Sequence, residues 1–478
     1  MQYIPSETLT IDRKARVNMP FHDLDLRPPA ERRCDFGAVV IDFSSERAML
    51  EAGRCIHCPD PAPCMLACPA HNDIPSAMWL IEQGRFLEAA NLYHQTSSLP
   101  EICGRVCPHE QLCQGSCVLN KHHSPVLCGE LETFCVDYKR RTEGRVIPLG
   151  QPTGKRVAII GAGPAGLGCA DQLVQRGHEV TIFESKPSAG GLLVYGIPNF
   201  KLPKDVWAEK WEEFEQAGVK FVPDTYIGKD KTIDDLFNEG FDAIFIGVGS
   251  EIDAKMEDTP GTDLPGVYEA TDYLIRGNVD PDLLPESLKE PLIIGRKIVV
   301  IGGGDTAADC LRTSLRLGAE QVTCLYRRTE REMPGGRKDR SMAKDEGAQY
   351  RFLTQPIKFI AGEGGRLAGV ECLEMKLGEP DKKGRRKPVP VEGSNFIVEC
   401  DTAVLALGYW PDPILGKTTP SLETHDWGLI TADKNTGATS RPGVFSGGDC
   451  VTGPDIVVTA MTAGRRAAWA IDEYLKQM

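Results

Sequence analysis

Two stretches decide the fold: RVAIIGAGPAGLGCADQLVQRGHEVTIFE at 156–184 and KIVVIGGGDTAADCLRTSLRLGAEQVTCLYR at 297–327. Each starts as a short apolar run, turns on glycines, continues as a helical segment and closes on a second apolar run. That succession is the βαβ opening of a dinucleotide-binding sheet. The first turn reads Gly161-Ala162-Gly163-Pro164-Ala165-Gly166 and the second Gly302-Gly303-Gly304-Asp305-Thr306-Ala307. The first glycine allows the tight turn, the second lets the backbone approach a pyrophosphate, and the third small residue lets helix pack on strand. Phosphates then rest on the free N–H groups of the helix start. One such fingerprint is a weak signal; two in one chain, each between strand and helix, point to two bound dinucleotides.

The residues that close the two units assign the ligands. Glu184 follows the first turn at the distance where a carboxylate accepts from ribose hydroxyls, as in FAD or NAD sites. The second unit closes on Arg327-Arg328, with Arg331 close behind. Guanidinium groups there pair with a 2′-phosphate and select NADPH over NADH. FDAIFIGVGS (241–250) and DTAVLALGYWPD (401–412) read as strand-to-glycine turns suited to chain crossings. RPGVFSGGDCV (441–451) places Gly448-Asp449 after a short strand, and a helix follows from Val457 to Ala470. The expected fold is α/β, with an NADPH unit at 291–397 inserted in a FAD-binding unit split between 146–290 and 398–478. Candidate FAD contacts are Gly161, Gly163, Pro164, Ala165, Glu184, Gly448, Asp449 and Val457. Candidate NADPH contacts are Gly303, Gly304, Asp305, Thr306, Arg327, Arg328 and Arg331.

Composition bounds the rest. The 478 residues suggest about three domains. Net charge is −14, from 54 basic and 68 acidic side chains, which excludes a nucleic-acid coat or membrane-surface binder. No window reaches the roughly 18 apolar residues of a membrane span. The opening, MQYIPSETLTIDRKARV, lacks the apolar core and small-residue cleavage site of an export signal, so a reducing, cytoplasmic location is expected.

Eleven of the 17 cysteines fall between Cys34 and Cys135. In a reducing compartment a dense cluster is a metal site rather than a disulfide framework. Its first half is Cys55-x2-Cys58-x5-Cys64-x3-Cys68-Pro69 and its second Cys103-x3-Cys107-Pro108-x5-Cys113-x3-Cys117. Cys-Pro after closely spaced cysteines is the ferredoxin pattern, in which one run serves two iron–sulfur clusters. Thiolates also suit zinc, but zinc carries no electrons, and a neighbouring flavin calls for a centre that does. Between the halves, Ile74, Trp79, Leu80, Phe86, Leu87, Ala90 and Tyr93 recur at helical steps; Asp73 and Pro75 start that helix and Gly84 divides it. Residues 1–145 are therefore expected to form a helical iron–sulfur domain.

The nucleotide units resemble the superfamily of thioredoxin and glutathione reductases, but the redox-active cysteine pair those enzymes need is missing: Cys310 and Cys324 are far apart, and no pair follows Gly190-Gly191. The cysteine halves, with IPSAMWLIEQGRFLEAA, GRVCP and LCQGSC, and then GAGPAGL, GGLLVYGIPNFKL, GGGDTAADC, YRR, MPG, GEPDKKGRR and GGD, resemble the small (beta) subunit of bacterial glutamate synthase from about residue 45 onward. The same amino-terminal module occurs in dihydropyrimidine dehydrogenase and in the flavin subunit of bifurcating transhydrogenases. VNMPFHDLDLRPPAERRCDF, ahead of it, looks more like the latter. The resemblance implies two 4Fe–4S clusters, one held by Cys55, Cys58, Cys64 and Cys117, the other by Cys68, Cys107, Cys113 and a Gln or Glu that falls on Glu132. Cys128, one helical turn from Glu132, is the rival ligand. It further implies that Gly191 and Leu192 line the flavin, that Lys201 is a cationic FAD contact, and that no side chain need act as nucleophile or general acid. Hydride would pass from NADPH to FAD, and single electrons through the clusters to a larger, flavin-bearing partner subunit. The alternative is the flavin subunit of another complex, bifurcating or not, or a stand-alone NAD(P)H:acceptor reductase.

Overall fold

The structure, a computed structural model, describes residues 10–380 and 384–478. The first nine residues of the opening read above and Asp381–Lys383 within GEPDKKGRR lie outside the described residues. Both βαβ units form where their periodicity puts them. Strand Arg156–Ile160 leads through its glycine turn into helix Pro164–Val174 and strand Glu179–Phe183. Five parallel strands stand in the order Val444–Ser446, Ala243–Ile246, Arg156–Ile160, Glu179–Phe183, Lys220–Val222. Val157, Ile159 and Phe245 are fully buried, as strands covered on both faces must be. Helix Val457–Leu475 packs along helix Pro164–Val174.

The second unit repeats the plan, with parallel order Gln349–Phe352, Gln321–Tyr326, Lys297–Ile301, Thr402–Leu405, Val267–Glu269. Val267–Glu269 and Thr402–Leu405, in segments assigned from sequence to the first unit, hydrogen-bond into this second sheet. The open edge of Lys297–Ile301 takes Thr402–Leu405 as its parallel neighbour, which only a returning chain can supply. Strand Ile252–Asp253 pairs antiparallel with Tyr409–Trp410, so the outgoing and returning crossings run side by side. An antiparallel sheet of Thr354–Ala361, Leu367–Pro380, Arg386–Pro390 and Phe396–Glu399, not read from the sequence, extends the second unit.

The cysteine-rich region is helical. Helix Ile74–Glu82 is capped by Asp73, whose carboxylate accepts from Ser76 N–H, and Gly84 at φ 71° separates it from Phe86–Thr96. Met78, Ile81, Ala89, Leu131 and Val136 make its core. Helix Pro100–Val106 leaves that core: Leu99 and Ile102 bury beside Leu173 and Met461 of the first nucleotide unit. The Ser98 hydroxyl donates to Asp171 at 2.7 Å and Arg145 donates to the other carboxylate oxygen at 3.1 Å. Helical and nucleotide units thus share one hydrophobic core. Among the described residues no helix is long and apolar enough to cross a membrane.

Candidate functional site

Three neighbouring regions make up the site. The first is a cavity of about 290 Å³ at the carboxyl end of the first sheet, lined by Gly161, Gly163, Pro164, Ala165, Glu184, Gly191, Leu192, Asp449 and Val457. A Cβ on Gly161, at φ 98°, would lie 2.6 Å from the Gly247 carbonyl oxygen, whereas Gly163 faces open space. The turn therefore folds tightly at one glycine and leaves room at the next. Glu184 is buried; one oxygen accepts from Ala162 N–H at 2.8 Å and the other from Lys186 N–H at 3.0 Å. Burial pushes its carboxyl above the usual range. Asp449 is pushed up to about 7, also by burial, and its Oδ1 is buried without a hydrogen-bond partner among the described residues. An orphaned carboxylate oxygen facing a cavity is a polar group built for a ligand. Gly448 does not line the cavity; it packs on Ala165 and sets the turn that presents Asp449. Thr225, Tyr226, Ser250 and Asp412 also line this cavity. Ser250 and Asp412 close the two strand-to-glycine turns read at 241–250 and 401–412, whereas no local pattern marks Thr225 and Tyr226.

The second region is a cleft of about 1400 Å³. Gly303, Gly304, Asp305, Thr306, Arg327 and Arg328 line it, together with Leu192, Asp449 and Val457, which also line the first cavity. Asp305 accepts from Gly336 N–H at 2.7 Å, which seats the Pro334–Gly336 loop on the second glycine turn. Arg327 is exposed and makes no hydrogen bond or ion pair among the described residues; Arg328 donates through Nε to the Arg386 carbonyl at 2.9 Å. Arg331 is exposed and is not among the residues that line the cleft, although Glu332 of the same 3-10 turn is. Lys201 borders the cleft, not the first cavity. Its ammonium pairs with Asp309 at 3.1 Å and Asp339 at 3.0 Å, both from the second unit.

The third region holds the thiols. Cys55, Cys58, Cys64 and Cys117 surround one small void with Ile56, Ile74, Met78 and Val126. Burial pushes the Cys55 thiol up to about 12 and raises Cys64 as well, so their deprotonation needs a cation among them. Cys68, Cys103, Cys107 and Cys113 lie close enough to Glu132 for their charges to interact with it. Burial pushes the Glu132 carboxyl well above the carboxylate range, and Asn72 donates to it at 3.4 Å. Cys103, one helical turn before Cys107, lies close enough for the two thiols to affect each other. Cys128 lines the void of the first four and neighbours Cys113 electrostatically, so it touches on both groups. Among the described residues no three His, Cys, Asp or Glu side chains converge tightly enough to hold a single metal ion. Soft donors spread around a void are the set a multi-iron cluster requires. Cys107 also lines the large cleft, so the second group opens toward the nucleotide units. Cys169, Cys310, Cys324, Cys372, Cys400 and Cys450 are all buried, five of them in clusters that hold none of these thiols and Cys169 in the one that also holds Cys103.

Comparison with known proteins divides the chain into two segments. Residues 32–144 match the family described as dihydropyrimidine dehydrogenase domain II, 4Fe-4S cluster, and residues 155–464 match pyridine nucleotide-disulphide oxidoreductase. The chain is 41% identical to the glutamate synthase (NADPH) small chain of Escherichia coli (strain K12) over 456 residues, covering 94% of this chain and 96% of that one. It is 43% identical to the oxidoreductase AegA of the same organism over 456 residues, 93% of this chain and 68% of AegA. The fold is that of Mycobacterium tuberculosis FprA, solved in complex with NADPH, at a TM-score of 0.56 and 20% identity, over 68% of this chain and 85% of FprA. A 4Fe–4S domain thus precedes a flavin- and NADPH-type reductase fold, and the chain belongs to the glutamate synthase small-chain family of oxidoreductases.

Proposed function

We propose that this chain takes hydride from NADPH onto FAD and passes single electrons through two 4Fe–4S clusters to a larger partner subunit. One observation carries the reading: the second glycine turn, Arg327, Leu192, Asp449, Val457 and Cys107 of the helical unit all line a single cleft. The 2′-phosphate falls to Arg327 and Arg328, and the pyrophosphate to the N–H groups that follow Gly303 and Gly304. We assign the NADPH unit to the chain between the two crossings, Ile252–Asp253 and Tyr409–Trp410. FAD falls to Gly161, Gly163, Pro164, Ala165, Glu184 and Asp449, with Gly191, Leu192 and Val457 at its cleft end. Bound FAD supplies the step between two-electron hydride and one-electron transfer.

The side chains position the bound groups. Leu192, Ile197 and Val457 supply apolar surface to a cleft otherwise lined by many charged side chains. Lys201, through Asp309 and Asp339, holds the second unit against the loop that carries Leu192. One cluster falls to Cys55, Cys58, Cys64 and Cys117, the other to Cys68, Cys107, Cys113 and Glu132; neither an acid nor a nucleophile is required.

The purified protein should release FAD on denaturation and hold eight irons with matching acid-labile sulfide; FMN alone, zinc, or four irons would refute it. Mixed with a glutamate synthase large subunit, it should oxidise NADPH only when glutamine and 2-oxoglutarate are both present. A second reading rests on the AegA likeness, in which the matched region is part of a longer chain. It has the same electron path ending on a different acceptor, and NADPH oxidation that ignores 2-oxoglutarate would select it.

A further inference from the structure

The amino-terminal arm has no part in the path above, and its first helix precedes the segment that matches the 4Fe–4S family. That helix, Arg13–Val17, is capped by Asp12, whose carboxylate accepts from Lys14 and Ala15 N–H. It lies against the loop that carries Cys55 and Cys58. Between helices Ser45–Ala52 and Pro63–Ala67 this loop has neither helix nor strand, so its carbonyls have no ladder partners. Two guanidinium groups of the arm satisfy them. Arg16 donates to the Gly53 oxygen at 2.6 Å and the Cys55 oxygen at 3.0 Å. Arg13 donates to the Ile56 and His57 oxygens, each at 2.9 Å. The path they hold is an unusual one: His57 stands at φ 47°, with its ring buried edge-on to Trp79.

The two arginines differ in charge balance. Arg16 also donates to both oxygens of Glu82, at 2.8 and 2.9 Å, and is neutralised there. Arg13 has no carboxylate partner among the described residues, so its charge acts on the loop uncompensated.

We infer that the arm is a working part of the site formed by Cys55, Cys58, Cys64 and Cys117: Arg16 clamps the loop in its ligating shape, and Arg13 raises the reduction potential of the cluster held there. Reduction adds one electron to the cluster and changes no bond of the protein. A fixed cation beside the ligand loop favours the more negative, reduced state, and partners beyond the ligands are a recognised lever on potential. The inference rests on the proposed assignment of those four cysteines.

The test uses the full holoprotein, with iron and sulfide analysis and redox titration followed by electron paramagnetic resonance. Cys58→Ser identifies which signal belongs to this set; if it leaves all iron and both signals in place, the four-cysteine assignment fails irrespective of the arm. With that signal identified, Arg13→Gln should keep full iron and lower its midpoint. The expected fall is about threefold to tenfold in the reduction equilibrium, roughly 30–60 mV for one electron. Arg13→Lys should stay near the parent, and the other centre should not move. Arg16→Gln should lose iron from this centre and, in the metal-free protein, expose residues 53–58 to faster proteolysis. An unmoved midpoint in Arg13→Gln, or an equal fall in Arg13→Lys, overturns the electrostatic role; full iron and unchanged proteolysis in Arg16→Gln overturn the clamp.

Discussion

Replacing Arg327 by Ala should change coenzyme choice, and the structure sets the size of the effect. Arg327 lines the coenzyme cleft with its guanidinium free of protein partners, whereas Arg328 already spends Nε on the Arg386 carbonyl. Arg327 should therefore carry most of the discrimination. A hydrogen bond to a charged group contributes about 1.5–3 kcal/mol, and exposure places this one at the lower end. That is roughly a tenfold loss of NADPH affinity, since about 1.4 kcal/mol is a factor of ten. NADH lacks the 2′-phosphate and should lose almost nothing. The assay is flavin reduction at increasing coenzyme concentration, for both coenzymes and at two salt concentrations; higher salt should narrow the gap between parent and variant. Arg328→Ala should fall between, and Arg331→Ala, outside the cleft, should leave the ratio unchanged. Equal weakening of NADH and NADPH by Arg327→Ala would refute phosphate recognition there. A large effect of Arg331→Ala would refute the placement of that loop.

Glu132→Ala should alter one iron–sulfur signal and spare the one lost in Cys58→Ser, while Cys128→Ala should leave eight irons; iron counts with the two results exchanged would make Cys128 the ligand. Asp449 titrates near 7 when folded and near 4 when unfolded, so between those values the folded chain holds a proton that the unfolded chain gives up. FAD-free protein should therefore lose stability as pH rises from about 4 to 7. Asp449→Asn should remove that component, about 1–4 kcal/mol at neutral pH, and urea unfolding with the same pH slope in both proteins would contradict it. Ile102→Ala empties a fully buried position between the helical and nucleotide units and should cost about 2–5 kcal/mol. Unfolding that separates into two transitions would show that the shared core couples the units, whereas an unchanged transition would show that it does not.

Periodicity made the βαβ openings legible because every residue that defines them is local. An apolar strand, a glycine where Cβ would strike a carbonyl, and a helix start follow one another within a few residues at Gly161 and again at Gly302. The break at Gly84 and the cap at Asp73 were readable for the same reason. The cysteine spacing announced soft-metal chemistry, and the grouping of Cys117 with Cys55, Cys58 and Cys64 came from the family resemblance. The antiparallel sheet of 354–399 was not legible, since its strands carry mixed polar and apolar residues that packing alone arranges.

The sequence by itself determined the parts: two glycine turns of the dinucleotide type, a thiol cluster, and a carboxylate closing one unit where an arginine pair closes the other. These depend on backbone sterics and ligand chemistry over short spans, which tertiary context does not alter. The tertiary structure decided which side chains share a space. It left Arg331 off the lining of the cleft that Arg327 lines, drew Lys201 into ion pairs across the units, and set Cys128 on the void of one thiol group and beside Cys113. It also laid Arg13 and Arg16 on a loop some 40 residues away. Such placements depend on how separately formed elements pack, and packing is settled by the summed burial of many side chains rather than by any local run of residues.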